Sequence, residues 1–274
     1  MRVPLSALLV CGFLGLSVLS ACTENRDASL PAIATASANG SVRGNPAVLT
    51  GVVIPLYANP GKWWDEAIAA KRAHPSVPIL VIANIDNGPG PGTKYGSYAN
   101  YISKAQSAGI TVIGYVYTSY GNRERAAVES QMLQWRNLYA VTGIFLDEMS
   151  QGDRPFYTAL TAYAHAHSLP LVMGNPGDNA PGNDGPDVIN FWESKGYPPL
   201  SYLEQPAHTK YGKGRWSYMA GAVPLDPATI TASVPYVAYI YATDGKEPEC
   251  YCELPTYFTQ LVALLDARRA AVAR

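Results

Sequence analysis

From Gly51 onward the chain is punctuated by eight short apolar runs separated by longer amphipathic stretches, and no other feature constrains its fold as much. The runs are Gly51–Tyr57 (GVVIPLY), Val77–Ala83 (VPILVIA), Ile110–Tyr117 (ITVIGYVY), Gly143–Leu146, Leu169–Met173, Asp187–Phe191 (DVINF), Trp216–Ala222 and Tyr236–Tyr241 (YVAYIY). Continuous apolar runs of this length suit strands buried on both faces of a parallel sheet. Between them the spacing predicts helices over Trp63–Ala73, Ser97–Ala108, Arg123–Leu138, Pro155–His167 and Pro227–Ser233. Helical potential is less regular around Leu200–Gln205, and a last helix is expected over Leu254–Ala271, with Pro255 tolerated near its start. Gly109 stands where a helix would need its C′ residue. Eight strands alternating with helices over about 225 residues favour a single-domain, closed (β/α)8 TIM-type barrel over an open doubly wound sheet. No GxGxxG or P-loop follows any strand, which removes the usual nucleotide-binding reason for an open sheet.

The start of the chain reads as a targeting segment. Arg2 supplies a positive charge, and Leu8–Val18 is an apolar stretch too short to span a bilayer. Small residues then lead into a cysteine in Leu19-Ser20-Ala21-Cys22, the order of a bacterial lipoprotein leader. An ordinary secretory leader cut near Ala21 is the other reading. The expectation is a signal peptide over 1–21, a lipidated Cys22, a flexible Ala/Ser/Asn/Gly-rich tether over 22–46, and a folded body over 47–274. The protein would then be exported and held at the cell envelope by its N-terminal lipid. Cys250 and Cys252 are one residue apart; a disulfide between them would close a strained ring. No histidine is near them in sequence, so a structural pair is expected rather than a metal site. The formal net charge of −1 and the absence of a basic run argue against nucleic acid as a partner. No cofactor or metal is expected, and a monomer is.

In a barrel, function collects where strands end and βα loops begin. Gly143-Ile144-Phe145-Leu146 runs into Asp147 and Glu148 at the fourth strand end, and the sixth delivers Trp192 and Glu193. Around them fall Tyr57 after strand 1, Asn84 and Asp86 after strand 2, and Tyr115, Tyr117, Tyr120 and Arg123 on or after strand 3. Asn175 follows strand 5, and Tyr241 and Asp244 close strand 8. Sugars present hydroxyl edges that suit Asn, Asp and Arg, and C–H faces that suit Tyr and Trp. Paired carboxylates are the working parts of glycoside hydrolysis. Each candidate also has a plainer role: Asp147 or Glu148 could cap the following helix, Asn84 and Asn175 could stabilise turns, and the tyrosines could simply pack. Neighbours on a strand face opposite ways, so Asp147 and Glu148 can both point inward only if the strand has already ended.

The stretches VIPLY (53–57), IANIDNGPG (82–90), GYVYTSYGNR (114–123), GIFLDE (143–148), GNPG (174–177) and FWE (191–193) together resemble the spherulin-4-like family, whose fungal glycoside hydrolases cut galactosaminogalactan. The resemblance covers about residues 51–245. It departs from the family pattern in the 84–90 loop and in Phe191-Trp192-Glu193, where the family has Phe-Glu. The resemblance implies a (β/α)8 barrel and endo-hydrolysis of polymers of α-1,4-linked N-acetylgalactosamine or galactosamine. It further implies Asp147 as nucleophile, Glu193 as acid/base and Glu148 as a supporting acid. The rival readings are a non-catalytic glycan-binding surface lipoprotein on the same barrel, and a glycosidase of another exopolysaccharide.

Overall fold

The computed structural model describes residues 49–177, 185–246 and 251–272. The expected leader, the tether, Cys22 and Cys250 lie outside the described residues.

Eight parallel strands close on themselves in sequence order, β1-β2-β3-β4-β5-β6-β7-β8, so the expected (β/α)8 barrel is the fold. The strands are β1 (Gly51–Leu56), β2 (Ile79–Ala83), β3 (Thr111–Tyr117), β4 (Gly143–Asp147), β5 (Leu171–Gly174), β6 (Val188–Lys195), β7 (Trp216–Gly221) and β8 (Tyr239–Ala242). The helices are α1 (Lys62–Ala73), α2 (Gly96–Ser107), α3 (Arg125–Tyr139), α4 (Arg154–Ala166), α5 (Leu200–Leu203), α6 (Pro206–Thr209), α7 (Pro227–Ser233) and α8 (Phe258–Val272). β1 and β2 are buried along their whole length, which is why their sequences are continuous rather than alternating.

Local chemistry sets the element ends. Gly109 takes the left-handed conformation that ends α2, with φ of 88°. Asp153 caps α4 by accepting from Phe156 N–H at 3.3 Å, and Asp226 caps α7 by accepting from Ala228 and Thr229 N–H. Trp135 of α3 lies so close to β3 that a Cβ on Gly114 would come within 2.3 Å of its ring. Its indole N–H donates to the Tyr115 carbonyl at 2.7 Å. This contact fixes which face of β3 meets the helix layer.

Two expectations need correction. β6 does not end at Phe191 but runs to Lys195, because β7 pairs with it as far as Lys195↔Gly221. Trp192 and Glu193 are therefore strand residues rather than loop residues. The last helix starts at Phe258, not Leu254: Leu254 and Pro255 belong to a loop anchored when Asp244 accepts hydrogen bonds from the Thr256 N–H and hydroxyl.

Candidate active site

The centre of the site is assembled from β3, β4, β5 and β6. Gly114 faces α3, so the next residue along, Tyr115, faces the barrel interior. In register with β3, Phe145 pairs with Tyr115 and Asp147 with Tyr117, which places Phe145 and Asp147 on that same inner face. The Tyr115 and Phe145 rings lie 6.1 Å apart, and the Tyr115 hydroxyl donates to the Asp147 carboxylate.

Asn175, one residue past β5, ties the acids together. Its side-chain NH2 donates to Asp147 Oδ1 at 2.8 Å and to Glu193 Oε2 at 2.5 Å. Its carbonyl oxygen accepts from Asn190 Nδ2 at 3.1 Å and from Gly177 N–H at 3.2 Å. Two donors on the oxygen and two carboxylates on the nitrogen leave the amide one sensible orientation.

Glu193 reaches this position because of a β-bulge. Asn190 pairs with Ser217 and Trp192 with Tyr218, so Phe191 is the extra residue. Phe191 turns outward into a cluster with Tyr202, His208, Trp216 and Tyr218. In a regular strand Asn190 and Glu193, three apart, would face opposite ways. With the bulge between them, both point at Asn175. The second Glu193 oxygen accepts from the Tyr251 hydroxyl. Tyr251 is itself held down where its carbonyl accepts from Tyr57 N–H at 2.8 Å. Its ring packs edge-on against Tyr57 at 5.5 Å and tilted against Tyr241 at 6.3 Å, and Tyr57 meets Tyr115 at 5.6 Å. One wall of the mouth is thus tyrosine. A narrow pocket of about 20 Å³ opens beside Glu193, lined also by Tyr241, Tyr251, Lys195 and Lys246.

The electrostatics follow from this packing. Burial pushes the Asp147 carboxyl above the ordinary carboxylate range, and hydrogen bonds from Tyr115, Glu148 N–H and Asn175 oppose that shift. Glu148 is also raised, first by burial and then by the charge of Asp147; Ser119 N–H and the Arg123 guanidinium act against it. β4 ends at Asp147, and Glu148 takes a left-handed conformation with φ of 51°. Strand alternation no longer applies to it, so the two neighbouring acids share the mouth.

The remaining candidates are spent differently. Asn84 Oδ1 accepts from Gly88 N–H at 2.9 Å, which makes it a turn residue. Asp86 is exposed in the same turn. Arg123 stacks 4.0 Å over the Tyr117 ring and donates to the Tyr117 carbonyl at 2.7 Å and to Gln131 at 3.0 Å. Trp192 donates to the Gly196 carbonyl at 3.0 Å and packs against Tyr202, on the opposite side of β6 from Glu193. Asp244 holds Thr256, and Tyr120 stands out into solvent at 65% exposure. Two contributors were absent from the sequence reading. Asn190 carried a usable signal, an amide inside the apolar run DVINF. Tyr251 carried none: it lies 58 residues from the acid it touches.

A closed (β/α)8 barrel with two bridged carboxylates in a tyrosine-walled mouth is a glycoside-hydrolase-like TIM barrel. Residues 51–265 match the model of the spherulation-specific family 4, Spherulin4, and the chain belongs to that family. Spherulin-4 of Physarum polycephalum is 35% identical over 118 residues, a match that covers 43% of this chain and 35% of that protein. The chain thus matches about a third of the length of that relative. Among solved structures, the barrel is similar to Aspergillus clavatus Sph3, crystallised in complex with GalNAc. The TM-score is 0.72 at 22% identity, covering 80% of this chain and 98% of Sph3.

Proposed function

We propose that this protein is an exported, endo-acting glycoside hydrolase that cleaves exopolysaccharide built on α-1,4-linked N-acetylgalactosamine or galactosamine. The observation that carries the reading is the Asn175 bridge between Asp147 and Glu193. One nitrogen bonds both acids, so the two bonded oxygens can be no farther apart than 2.8 Å and 2.5 Å laid end to end. That upper limit is short of the roughly 6.5–9.5 Å that inverting pairs need to admit a water. It supports a retaining mechanism.

In that mechanism Asp147 attacks the anomeric carbon, while Glu193 gives its proton to the departing glycosidic oxygen. A covalent glycosyl-enzyme forms. Glu193, now ionised, takes a proton from water, which attacks the same carbon and releases Asp147. Asn175 holds both acids at the reacting bond and adds a donor to each. Tyr115 and Glu148 N–H stabilise Asp147 as an anion, and Tyr251 orients Glu193. The GalNAc in the Sph3 crystals supports the choice of sugar.

The direct test is to incubate the folded domain with acetylated and deacetylated galactosaminogalactan and measure new reducing ends. Release by the wild type and none by Asp147→Asn or Glu193→Gln supports the reading. Binding without product, unchanged in those variants, selects the glycan-binding alternative. Cleavage of other exopolysaccharides in a panel, with galactosaminogalactan untouched, replaces the substrate.

Export and anchoring are proposed with it: residues 1–21 direct export and Cys22 carries the lipid that tethers a monomeric barrel to the envelope. Labelled fatty acid should enter the wild type in a bacterial host, and Cys22→Ser should abolish incorporation. Labelling that survives in Cys22→Ser sinks the anchor.

A further inference from the structure

Glu148 is expected from the family resemblance to support the chemistry, but its surroundings give it a different task. Where the loops after β3 and β4 meet, three non-glycine residues are left-handed: Ser119 with φ of 49°, Tyr120 with φ of 58° and Glu148 with φ of 51°. L-residues adopt this conformation rarely, and it persists where the surroundings impose it. Here the two strained segments impose it on each other. Tyr120 N–H donates to the Glu148 carbonyl at 2.7 Å, and the Glu148 carboxylate accepts from Ser119 N–H. Thr118 Oγ1 donates to the same Glu148 carbonyl at 2.8 Å and is fixed by Tyr157 at 3.0 Å.

The outcome is a ring held out of the core. Tyr115 and Tyr241 are buried, whereas Tyr120 is 65% exposed. Partial burial raises its phenol first, and the charges of Glu148, Asp147 and Glu193 raise it further, so the ring lies within the field of the three acids. An exposed aromatic, held by strained backbone beside the acids, suits stacking on a sugar.

We propose that Glu148 is a positioning residue and that Tyr120 is what it positions, a stacking surface for the C–H face of the sugar beside the cleaved bond. A galacto-configured ring suits such a surface, because its axial 4-hydroxyl leaves one face with contiguous C–H groups. The proposal rests on the hydrolase reading. It divides the Asp-Glu pair: Asp147 reacts, and Glu148 shapes the place where the sugar lies.

The experiment compares Tyr120→Ala, Tyr120→Phe, Glu148→Ala and Glu148→Gln with wild type on α-1,4-linked N-acetylgalactosamine oligosaccharides. It measures kcat, KM and the pH profile, alongside calorimetric binding and thermal melts. Tyr120→Ala should raise KM and Kd about tenfold with kcat lowered by less than that. Tyr120→Phe should restore most of the loss, since the ring does the work. Glu148→Ala should match Tyr120→Ala, Glu148→Gln should raise KM about threefold because its amide oxygen is a weaker acceptor, and Tyr120→Ala/Glu148→Ala should be no worse than either alone. A fall in kcat of about a hundredfold or more in Glu148→Gln, with a limb of the pH profile lost, would make Glu148 a proton-transfer group and overturn the proposal. Unchanged KM and Kd in a folded Tyr120→Ala would also overturn it. A wild-type chain that neither binds nor cleaves these sugars removes the hydrolase reading and, with it, the platform's ligand.

Discussion

The two sides of the barrel mouth use the same residue types for opposite purposes. On the side built by β4, β5 and β6, an amide and two acids are bonded to one another across strands, through Asn175. On the side built by the loops after β2 and β8, an amide and an acid bond the backbone of their own loops. Asn84 holds Gly88, and Asp244 holds Thr256. The difference lies in what backbone each side chain meets. A turn with unsatisfied N–H groups uses any nearby carboxylate or amide to satisfy them. Around Asn175 the neighbouring backbone is already paired: Asn175 N–H bonds the Leu146 carbonyl and its own carbonyl accepts from Met149 N–H. Its side-chain oxygen takes the Gly177 N–H and the Asn190 amide, and its NH2 is left for the acids.

The largest break in this comparison is at the acids themselves. Asp147→Asn and Glu193→Gln should each lower kcat by roughly 10³-fold or more while leaving a folded barrel, measured by reducing-end release beside circular dichroism. Comparable activity in either variant would move the chemistry elsewhere. Asn175→Ala comes next. It removes one donor from each acid and the geometry between them, and kcat should fall by about 10²-fold, the scale of a small misplacement of reacting groups.

A pH series sharpens the same contrast. Asp147 is raised chiefly by burial, so the folded protein keeps this proton over a range where the unfolded chain has lost it. Its contribution to stability therefore declines as pH rises from the ordinary carboxylate value through the raised one. Asparagine at this position has no such proton. Melts from about pH 3 to about pH 8 should show the stability of Asp147→Asn relative to wild type growing with pH across that window. A constant difference would mean that Asp147 is not raised. The proposed nucleophile must be ionised to react, so the acid limb of kcat/KM should also lie above the ordinary carboxylate range.

The smallest expected effect is on the other side of the mouth. Asn84→Ala strips the partner from the buried Gly88 N–H and should cost about 1–3 kcal/mol of stability, read as a lower melting temperature. Its kcat should change by about twofold or less. A loss of kcat on the scale of Asn175→Ala would erase the distinction between the two sides.

Much of this molecule was legible in its sequence. The eight apolar runs located eight strands, since a strand buried on both faces needs only local hydrophobicity to declare itself. Strand order then placed Asp147, Asn175 and Glu193 at one rim. The reading failed where a residue's partner is distant or its direction depends on one extra residue. Trp192 and Glu193 looked like loop residues because the apolar run stops at Phe191, yet pairing with β7 carries the strand on. Trp192 then faces Tyr202, and Glu193 faces the mouth. Asn84, Arg123 and Asp244 looked like equal partners of Asn175, because composition at a strand end does not say which backbone is left unpaired.

By itself, then, the sequence determined the barrel, the rim and the identity of the acids that stand there, because burial period and strand order are local properties. Only the tertiary structure decided how the acids are held. The bulge at Phe191 turned Glu193 inward, Asn175 joined it to Asp147, and Tyr251 arrived from the far end of the chain. Glu148 was set apart from its neighbour by one left-handed φ, imposed by hydrogen bonds with Ser119 and Tyr120 from another loop. Those are contacts between elements distant in sequence, and no local pattern encodes them.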